Sequence, residues 1–256
     1  MNYVKGRYKI AVGEYDTGVS CIQKSMEFAE TLGEKKMLLN NLKQMIFYGI
    51  QVEDMEQVHT YVQRGLQMLE AEEKNSEEKG VFIRLKGWYL LHKGNYQEAE
   101  QVLWEAMEIF RNCVSDREYF SMSIAACQGY LGDLSRAKGD FEKAREYYQA
   151  AIELGTGKVV TNGLGQFYSS MGQVLYLEKQ YEEADEYLEK AVSCLKSHGY
   201  YWGLERALAY RAMLLWETGK QEEAKLCYEE SWKISHKIKN PTTISILKQV
   251  ENYINH

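Results

Sequence analysis

One short stretch of the chain has residues of the kind that bind phosphate. Gly155-Thr156-Gly157-Lys158 matches the last residues of a phosphate-binding loop, in which backbone amides and a lysine surround the phosphate groups. Such a loop also needs a glycine five residues before the Gly-Lys pair, a Ser or Thr after it, and a preceding strand. Ile152 and Val159 occupy those two positions, and a helical pattern leads in. We therefore interpret the stretch as a helix end, with a glycine cap, followed by a loop.

The other reactive residues form no recognisable site. Gly163-Leu164-Gly165 lacks the third glycine and the preceding strand of a dinucleotide-binding turn, and it indicates a helix start. Acidic pairs such as Glu182-Glu183 and Glu222-Glu223 are typical of a solvated helix face. The histidines do not cluster with cysteines or carboxylates at metal-ligand spacing; they are His59, His92, His198, His236 and His256. The sequence predicts no catalytic residue, no metal site and no cofactor.

Composition favours a helical protein that is neither a nucleic-acid nor a membrane binder. The 256 residues carry a net charge of −6, which argues against a general affinity for nucleic acid or anionic lipid. A single proline suits long unbroken helices, and no apolar window approaches the ~18 residues of a membrane span. The five cysteines are scattered and odd in number, which indicates buried thiols in a reducing cytoplasm.

A short pattern recurs along the whole chain and defines the elements that position any site. The best copies are GNYQEAEQVLWEA (94–106), GDFEKAREYYQAA (139–151) and KQYEEADEYLEKA (179–191). The sixth residue of each copy, called here the register residue, recurs every 40 to 45 positions: Gly18, Val58, Ala99, Ala144, Ala184 and Ala224. Regular recurrence at this spacing is typical of a helical repeat protein.

The spacing within each copy predicts two packed helices. The register residue, a second small residue seven later and a large apolar residue four later share one helix face. A glycine five positions before the register residue predicts a turn, as at Gly94 and Gly139. Another glycine twelve positions before it indicates close helix packing, as at Gly87, Gly132 and Gly172. Each unit is thus a first helix, a tight turn and a second helix, which must stack on its neighbours to bury its apolar face.

This pattern resembles the tetratricopeptide repeat family. Tyr168, Met171, Gly172 and Leu175, followed by Tyr181, Ala184, Leu188 and Ala191, match that motif in order. The period of about 40 residues exceeds the usual ~34, as in the long repeats of bacterial regulatory proteins. The resemblance implies an all-α, right-handed superhelical solenoid of six antiparallel helix pairs plus a capping helix. The implied single array spans residues 1–256, with repeats at about 1–34, 35–75, 76–113, 114–156, 157–197 and 198–239.

The two ends of the array differ. Asn240 is expected to cap a final helix over residues 241–255 that begins with Pro241. Ile244, Leu247, Val250 and Ile254 form its apolar stripe. By contrast, the first helix of repeat one would have to begin before Met1. We therefore expect the chain to be the C-terminal part of a longer protein.

The resemblance also implies where a partner binds. In this family the first helices line a concave groove, through positions 18, 15, 11 and 8 before the register residue. The candidate groove residues at these positions are Asn40, Lys43, Phe47, Arg84, Trp88, Asp133, Arg136, Gln166, Gln173, Tyr176, Arg206, Met213 and Trp216. Basic side chains suit a carboxylate, glutamines suit backbone amides, and aromatic side chains suit apolar anchoring. Alternatively, the aromatic residues Phe47, Trp88 and Trp216 pack between neighbouring repeats.

Three functions remain open from the sequence. The first is a non-enzymatic scaffold that binds a protein or peptide segment in the groove, as the sensor or interaction domain of a bacterial cytoplasmic regulator. The second is a peptide-pheromone receptor whose ligand changes the superhelical pitch. The third is an accessory domain of an enzyme with an unrecognised site. The predicted partner of the chain is a protein or peptide, with no direct contact between this segment and nucleic acid, no membrane, and possible self-association through the first repeat.

Overall fold

The regular elements of the chain are α-helices throughout the described residues. The computed structural model describes residues 1–70, 76–113, 117–156 and 162–254. Its helices are α1 Asn2–Ala11, α2 Tyr15–Leu32, α3 Lys35–Val52, α4 Met55–Met68, α5 Glu77–His92, α6 Tyr96–Asn112, α7 Arg117–Ala137, α8 Phe141–Gly155, α9 Asn162–Leu177, α10 Tyr181–Ser197, α11 Leu204–Glu217, α12 Gln221–Ile238 and α13 Pro241–Ile254. The all-α prediction is confirmed, while the count of six complete pairs and the single-array assignment stay predictions.

The helices fall into two compact units, residues 1–130 and 131–256. In the first unit each helix from α1 to α5 packs on the next one in the chain, ending at α6. In the second unit α8, α9, α10, α11 and α12 pack in the same sequential way, and α13 lies against α11 and α12. Each unit is therefore a stack of helical hairpins. No helix within the described residues has the length and apolar character needed to cross a membrane.

The predicted close approach within hairpins is confirmed at the recurring glycines. A methyl group added to Gly132 would lie 2.5 Å from a ring carbon of Tyr148, and one added to Gly172 would lie 2.7 Å from Leu188. In both cases the glycine is twelve residues before the register residue and its neighbour is four after it. The register alanines and their partners seven residues later are fully buried; they are Ala99, Ala106, Ala144, Ala151, Ala184 and Ala191.

The turns between paired helices use left-handed backbone conformations, as predicted. Gly94 and Gly139 have φ values of 78° and 80°, which residues with a side chain rarely adopt. In the turn between α9 and α10 the sequence has no glycine, and Lys179 takes φ 61° instead. The phosphate-loop-like stretch also ends a helix as predicted, although the cap of α8 is Thr156 rather than a glycine. Its Lys158 lies outside the described residues.

The final helix begins as its sequence predicts. The backbone N–H of Thr243 donates to Asn240 Oδ1 at 2.9 Å, and Pro241 is the first helical residue. Leu247 and Val250 are fully buried. The helix is described as far as Ile254, so the last predicted position, 255, lies outside the described residues. These contacts make α13 a cover for the last hairpin.

We expect Asn240→Ala to lower the free energy of unfolding by about 1–2 kcal/mol, because the amide of Thr243 loses its acceptor. Urea denaturation followed by circular dichroism measures the change. Asn252→Ala, at an exposed asparagine of the same helix, is the matched control and should change stability by less than about 0.5 kcal/mol. Equal effects of the two substitutions would show that the cap contributes nothing.

Candidate functional site

The candidate groove residues of the first unit include two cations close to each other. Lys43 lies on α3 and Arg84 on α5, both half-buried. Burial lowers the pKa of the Lys43 ammonium, Glu78 and Glu77 oppose this, and the nearby Arg84 guanidinium lowers it further. Arg84 Nε is buried and has no hydrogen-bond partner in the described structure. The two cationic groups therefore lie near each other, and the carboxylates of Glu77 and Glu78 offset part of their positive charge.

The apolar candidates of the first unit differ in exposure. Trp88 is only 6% exposed, and its ring stacks on His92 with centroids 3.8 Å apart. Phe47 and Asn40 on α3 are half-buried and keep part of their surface accessible. Trp88 is therefore largely buried and contacts His92 of its own helix, whereas Phe47 can still offer a contact surface.

Asp133 and Arg136 are linked to each other through a buried tyrosine. Tyr148 on α8 donates from its hydroxyl to Asp133 Oδ1 at 2.8 Å, and Arg136 Nε donates to the same hydroxyl at 3.4 Å. Arg136 Nη2 also lies 3.4 Å from Asp133 Oδ1. Burial raises the pKa of Tyr148 well above its ordinary value, and Asp133 raises it further, so the phenol stays a donor. This network joins α7 to α8 and uses the charges of both candidates internally.

Both candidate glutamines are also engaged inside the second unit. Gln166 Nε2 donates to the backbone oxygen of Trp202 at 3.0 Å, and its amide packs directly on Gly203. Gln173 is 4% exposed and donates to Ser169 Oγ at 3.2 Å. Their amides position α9 and the start of α11. Both amides are therefore engaged within the protein rather than free for a ligand.

Tyr176 belongs to a cluster of tyrosines around one carboxylate. The Tyr176 and Tyr181 hydroxyls donate to the two oxygens of Glu217, each at 2.6 Å. Tyr210 meets the Tyr176 ring edge-on, with centroids 6.1 Å apart. Tyr176 is at a predicted groove position. Glu217 and Tyr210 were not predicted, because they lie at other positions of the first helix of their repeat. A single sequence offers no signal for a pairing between helices so far apart in the chain.

The remaining candidates of the second unit lie on α11. Arg206, Met213 and Trp216 are half-buried, and Arg206 Nε is buried without a hydrogen-bond partner among the described residues. Arg206 and Arg84 thus share one property in two separate units. Each has a partly buried guanidinium whose hydrogen-bonding capacity is incompletely used.

Ion pairing separates these two arginines from the others. Among the half-buried arginines that the structure describes, Arg84 and Arg206 are the ones without an ion pair. The others pair with carboxylates: Arg64 with Glu30, Arg136 with Asp133, Arg145 with Glu178, and Arg211 with Asp185. Partial burial of an unpaired charge is unfavourable. Both exceptions lie at predicted groove positions.

The described residues offer little for chemistry on a substrate. They contain no group of three or more histidines, cysteines or acidic residues placed to hold a metal ion. Burial raises the pKa of the Cys127 thiol to about 12, despite the nearby guanidinium groups of Arg84 and Arg111. The thiol is therefore protonated and a poor nucleophile near neutral pH.

Comparisons with known proteins agree with the hairpin architecture. Family models described as tetratricopeptide repeat match residues 86–112, 130–154 and 164–193. The comparison with curated proteins gave no match. Among solved structures, a Rap protein complexed with competence and sporulation factor is 14% identical with a TM-score of 0.72; the match covers 95% of this chain and 67% of that one.

Two further structures are similar at comparable levels. Bacillus thuringiensis PlcR in complex with the peptide PapR7 and DNA is 11% identical with a TM-score of 0.67, over 85% of this chain and 74% of that one. Aspartyl phosphate phosphatase F from Bacillus subtilis is 13% identical with a TM-score of 0.65, over 89% of this chain. This chain spans 59% of the phosphatase. At these identities the likeness shows the fold alone.

Proposed function

Because the chain contains tetratricopeptide repeats, we propose that it is a non-enzymatic scaffold that binds an extended segment of a protein or peptide. The segment contacts the first helices of the hairpins. In this proposal the chain is the sensor or interaction domain of a bacterial cytoplasmic regulator. Neither nucleic acid nor membrane is bound by these residues.

The observation that carries the proposal is the pair of unpaired arginines. Arg84 and Arg206 keep buried Nε atoms without hydrogen-bond partners, whereas the comparable arginines are ion paired. A carboxylate of the bound segment would supply the ion-pair partner that each half-buried guanidinium lacks within the described structure. Lys43 adds a second cation beside Arg84. The favoured segment therefore carries acidic side chains or a free C-terminus.

Apolar contacts would supply the rest of the affinity. Trp216, Met213 and Phe47 are half-buried at groove positions, and aromatic side chains of this kind are typical anchors in protein interfaces. Asn40 is a further polar contact at the same kind of position. The other candidate residues would hold the helices in place rather than contact the segment directly. They are Trp88, Asp133, Arg136, Gln166, Gln173 and Tyr176.

A receptor for a short signalling peptide is the second candidate. Two structures similar in fold were determined as complexes, one with competence and sporulation factor and the other with the peptide PapR7 and DNA. In that case peptide binding would also change the radius of gyration in X-ray scattering. A scaffold would bind without such a change.

The proposal is tested with a displayed library of random peptides. Peptides selected on the whole chain should be enriched in Asp, Glu or a free C-terminal carboxylate. Arg84→Glu and Arg206→Glu should each weaken a selected peptide about 10- to 150-fold, since a charge-assisted hydrogen bond contributes ~1.5–3 kcal/mol. Fluorescence anisotropy with a labelled peptide measures the dissociation constants.

Arg111→Glu is the matched control, because Arg111 is an exposed arginine of α6, the second helix of its hairpin, and lies at no groove position. It makes the same change in net charge and should leave the peptide affinity within about twofold. Helical content from circular dichroism must be unchanged in all variants. If both groove variants keep wild-type affinity for every selected peptide, the groove is not the binding site.

A further inference from the structure

A cleft lies in the second unit, apart from the predicted groove positions. The cleft, of about 510 Å³, is formed by the end of α10, the connection from α10 to α11, the start of α11 and the later turns of α12. None of its lining residues is at a predicted groove position. Its volume falls within the range of ~300–1,000 Å³ that is usual for small-molecule sites.

The charge of this cleft is opposite to that of the chain. Its lining includes Lys196, Lys233, Lys237 and a single acidic residue, Glu230. Three ammonium groups and one carboxylate give a formal charge of +2, on a chain whose net charge is −6. A local excess of positive charge on an acidic protein attracts anions to this cleft in particular.

Two of the three ammonium groups are not neutralised by a carboxylate. Lys196 Nζ is paired with Glu230 Oε2 at 2.7 Å. Lys237 Nζ lies 4.6 Å from the centre of the Tyr201 ring, and Lys233 has no ion pair among the described residues. Lys233 and Lys237 are four residues apart on α12, so their charges repel each other along one helix face. An anion with two negative charges would relieve that repulsion.

The other residues that line the cleft suit an apolar or aromatic group of a ligand. Tyr200 and Tyr201 are half-buried on one side. Leu195 and Ile234, both largely buried, contribute apolar surface. Aromatic side chains favour offset or edge-on contact with another ring. We propose that this cleft binds a small phosphate monoester with an aromatic body, with the phosphate at Lys233 and Lys237 and the ring against the tyrosines.

The test uses phenyl phosphate as the probe. Inorganic phosphate and phenol are the comparison ligands, because one has only the phosphate group and the other only the aromatic ring. Isothermal titration of the whole chain should show saturable binding of phenyl phosphate that weakens as salt is added. Inorganic phosphate and phenol should each bind at least about fivefold more weakly, because each makes only part of the contacts. The Lys233→Ala/Lys237→Ala double variant should lose at least about tenfold in affinity for phenyl phosphate.

Lys190→Ala/Lys225→Ala is the control, since it removes the same charge from lysines outside the cleft. Lys190 also lies 4.9 Å from a tyrosine ring centre, that of Tyr187, so it reproduces the cation–π contact without the cleft. This control should keep wild-type affinity. The proposal is overturned if phenyl phosphate does not saturate, if inorganic phosphate binds equally well, or if the two double lysine variants lose affinity to the same extent.

Discussion

Replacing Gly65 by alanine is expected to lower the free energy of unfolding by about 2 kcal/mol. A methyl group added to Gly65, on α4, would lie 2.0 Å from Phe82 Cε1 on α5, and the Phe82 ring is fully buried. Overpacking of this kind costs ~1–3 kcal/mol or more, against a gain of ~1 kcal/mol from the helix propensity of alanine. Urea denaturation monitored by circular dichroism measures the difference.

A double-mutant cycle shows whether the collision with Phe82 is the cause. Phe82→Leu gives the added methyl group room, so the two substitutions together should cost at least about 1 kcal/mol less than the sum of their separate costs. Gly94→Ala is the control, because Gly94 has φ 78° and no atom within 4 Å of the added methyl group. Its backbone cost of ~1 kcal/mol should simply add to that of Phe82→Leu. Additive costs for Gly65→Ala and Phe82→Leu would contradict the explanation.

Gly65 also illustrates which packing the sequence can predict. It lies seven residues after Val58, where the repeat predicts a small residue, but nothing in the spacing identifies Phe82 as its neighbour. By contrast, Gly132 and Tyr148 belong to one hairpin and occupy fixed positions relative to the register residue. Packing inside a hairpin is therefore predictable from helix geometry and a short turn. Packing between hairpins depends on loops of unequal length, which the repeat does not encode.

The helices that carry the candidate groove residues are predictable for the same reason. The register places Arg84 and Arg136 on the first helices, but it cannot show whether their charges are satisfied within the protein. Tyr148 and Asp133 engage Arg136, whereas Arg84 has no ion pair in the described structure. The partner of Gln166 is a backbone oxygen, that of Trp202. A backbone atom leaves no side-chain signal in a sequence, so this contact could not be predicted.

The burial of Glu205 was not predicted from the sequence. It lies in the first turn of α11, where an acidic residue normally indicates an exposed helix start. In the structure it is fully buried. Thr243 of α13 donates to Glu205 Oε1 at 3.4 Å, and Ser231 of α12 donates to the Glu205 backbone oxygen. The capping helix α13, which is remote in the sequence, packs over Glu205 and contributes to its burial.

Glu205 should make the protein less stable as the pH rises from about 5 to 8. Burial raises the pKa of its carboxyl group from 4.5 to about 7, although Arg206 and backbone amides lower it. Between these values the folded chain holds a proton that the unfolded chain has released, so stability falls with increasing pH. At about 1.4 kcal/mol per pKa unit, the loss is at most about 3 kcal/mol. Below about pH 4.5 both states are protonated and the residue contributes no further dependence.

Glu205→Gln tests this directly, because glutamine has the same shape and no titrating group. Urea denaturation of the variant and the wild type at pH 5, 6, 7 and 8 should show a difference in unfolding free energy that grows in favour of glutamine by about 3 kcal/mol. Comparing slopes across pH removes any constant cost of burying the amide. Glu223→Gln, at an exposed glutamate of α12, should follow the wild type at every pH. A Glu205→Gln curve parallel to the wild type would show that the buried carboxyl group does not titrate in this range.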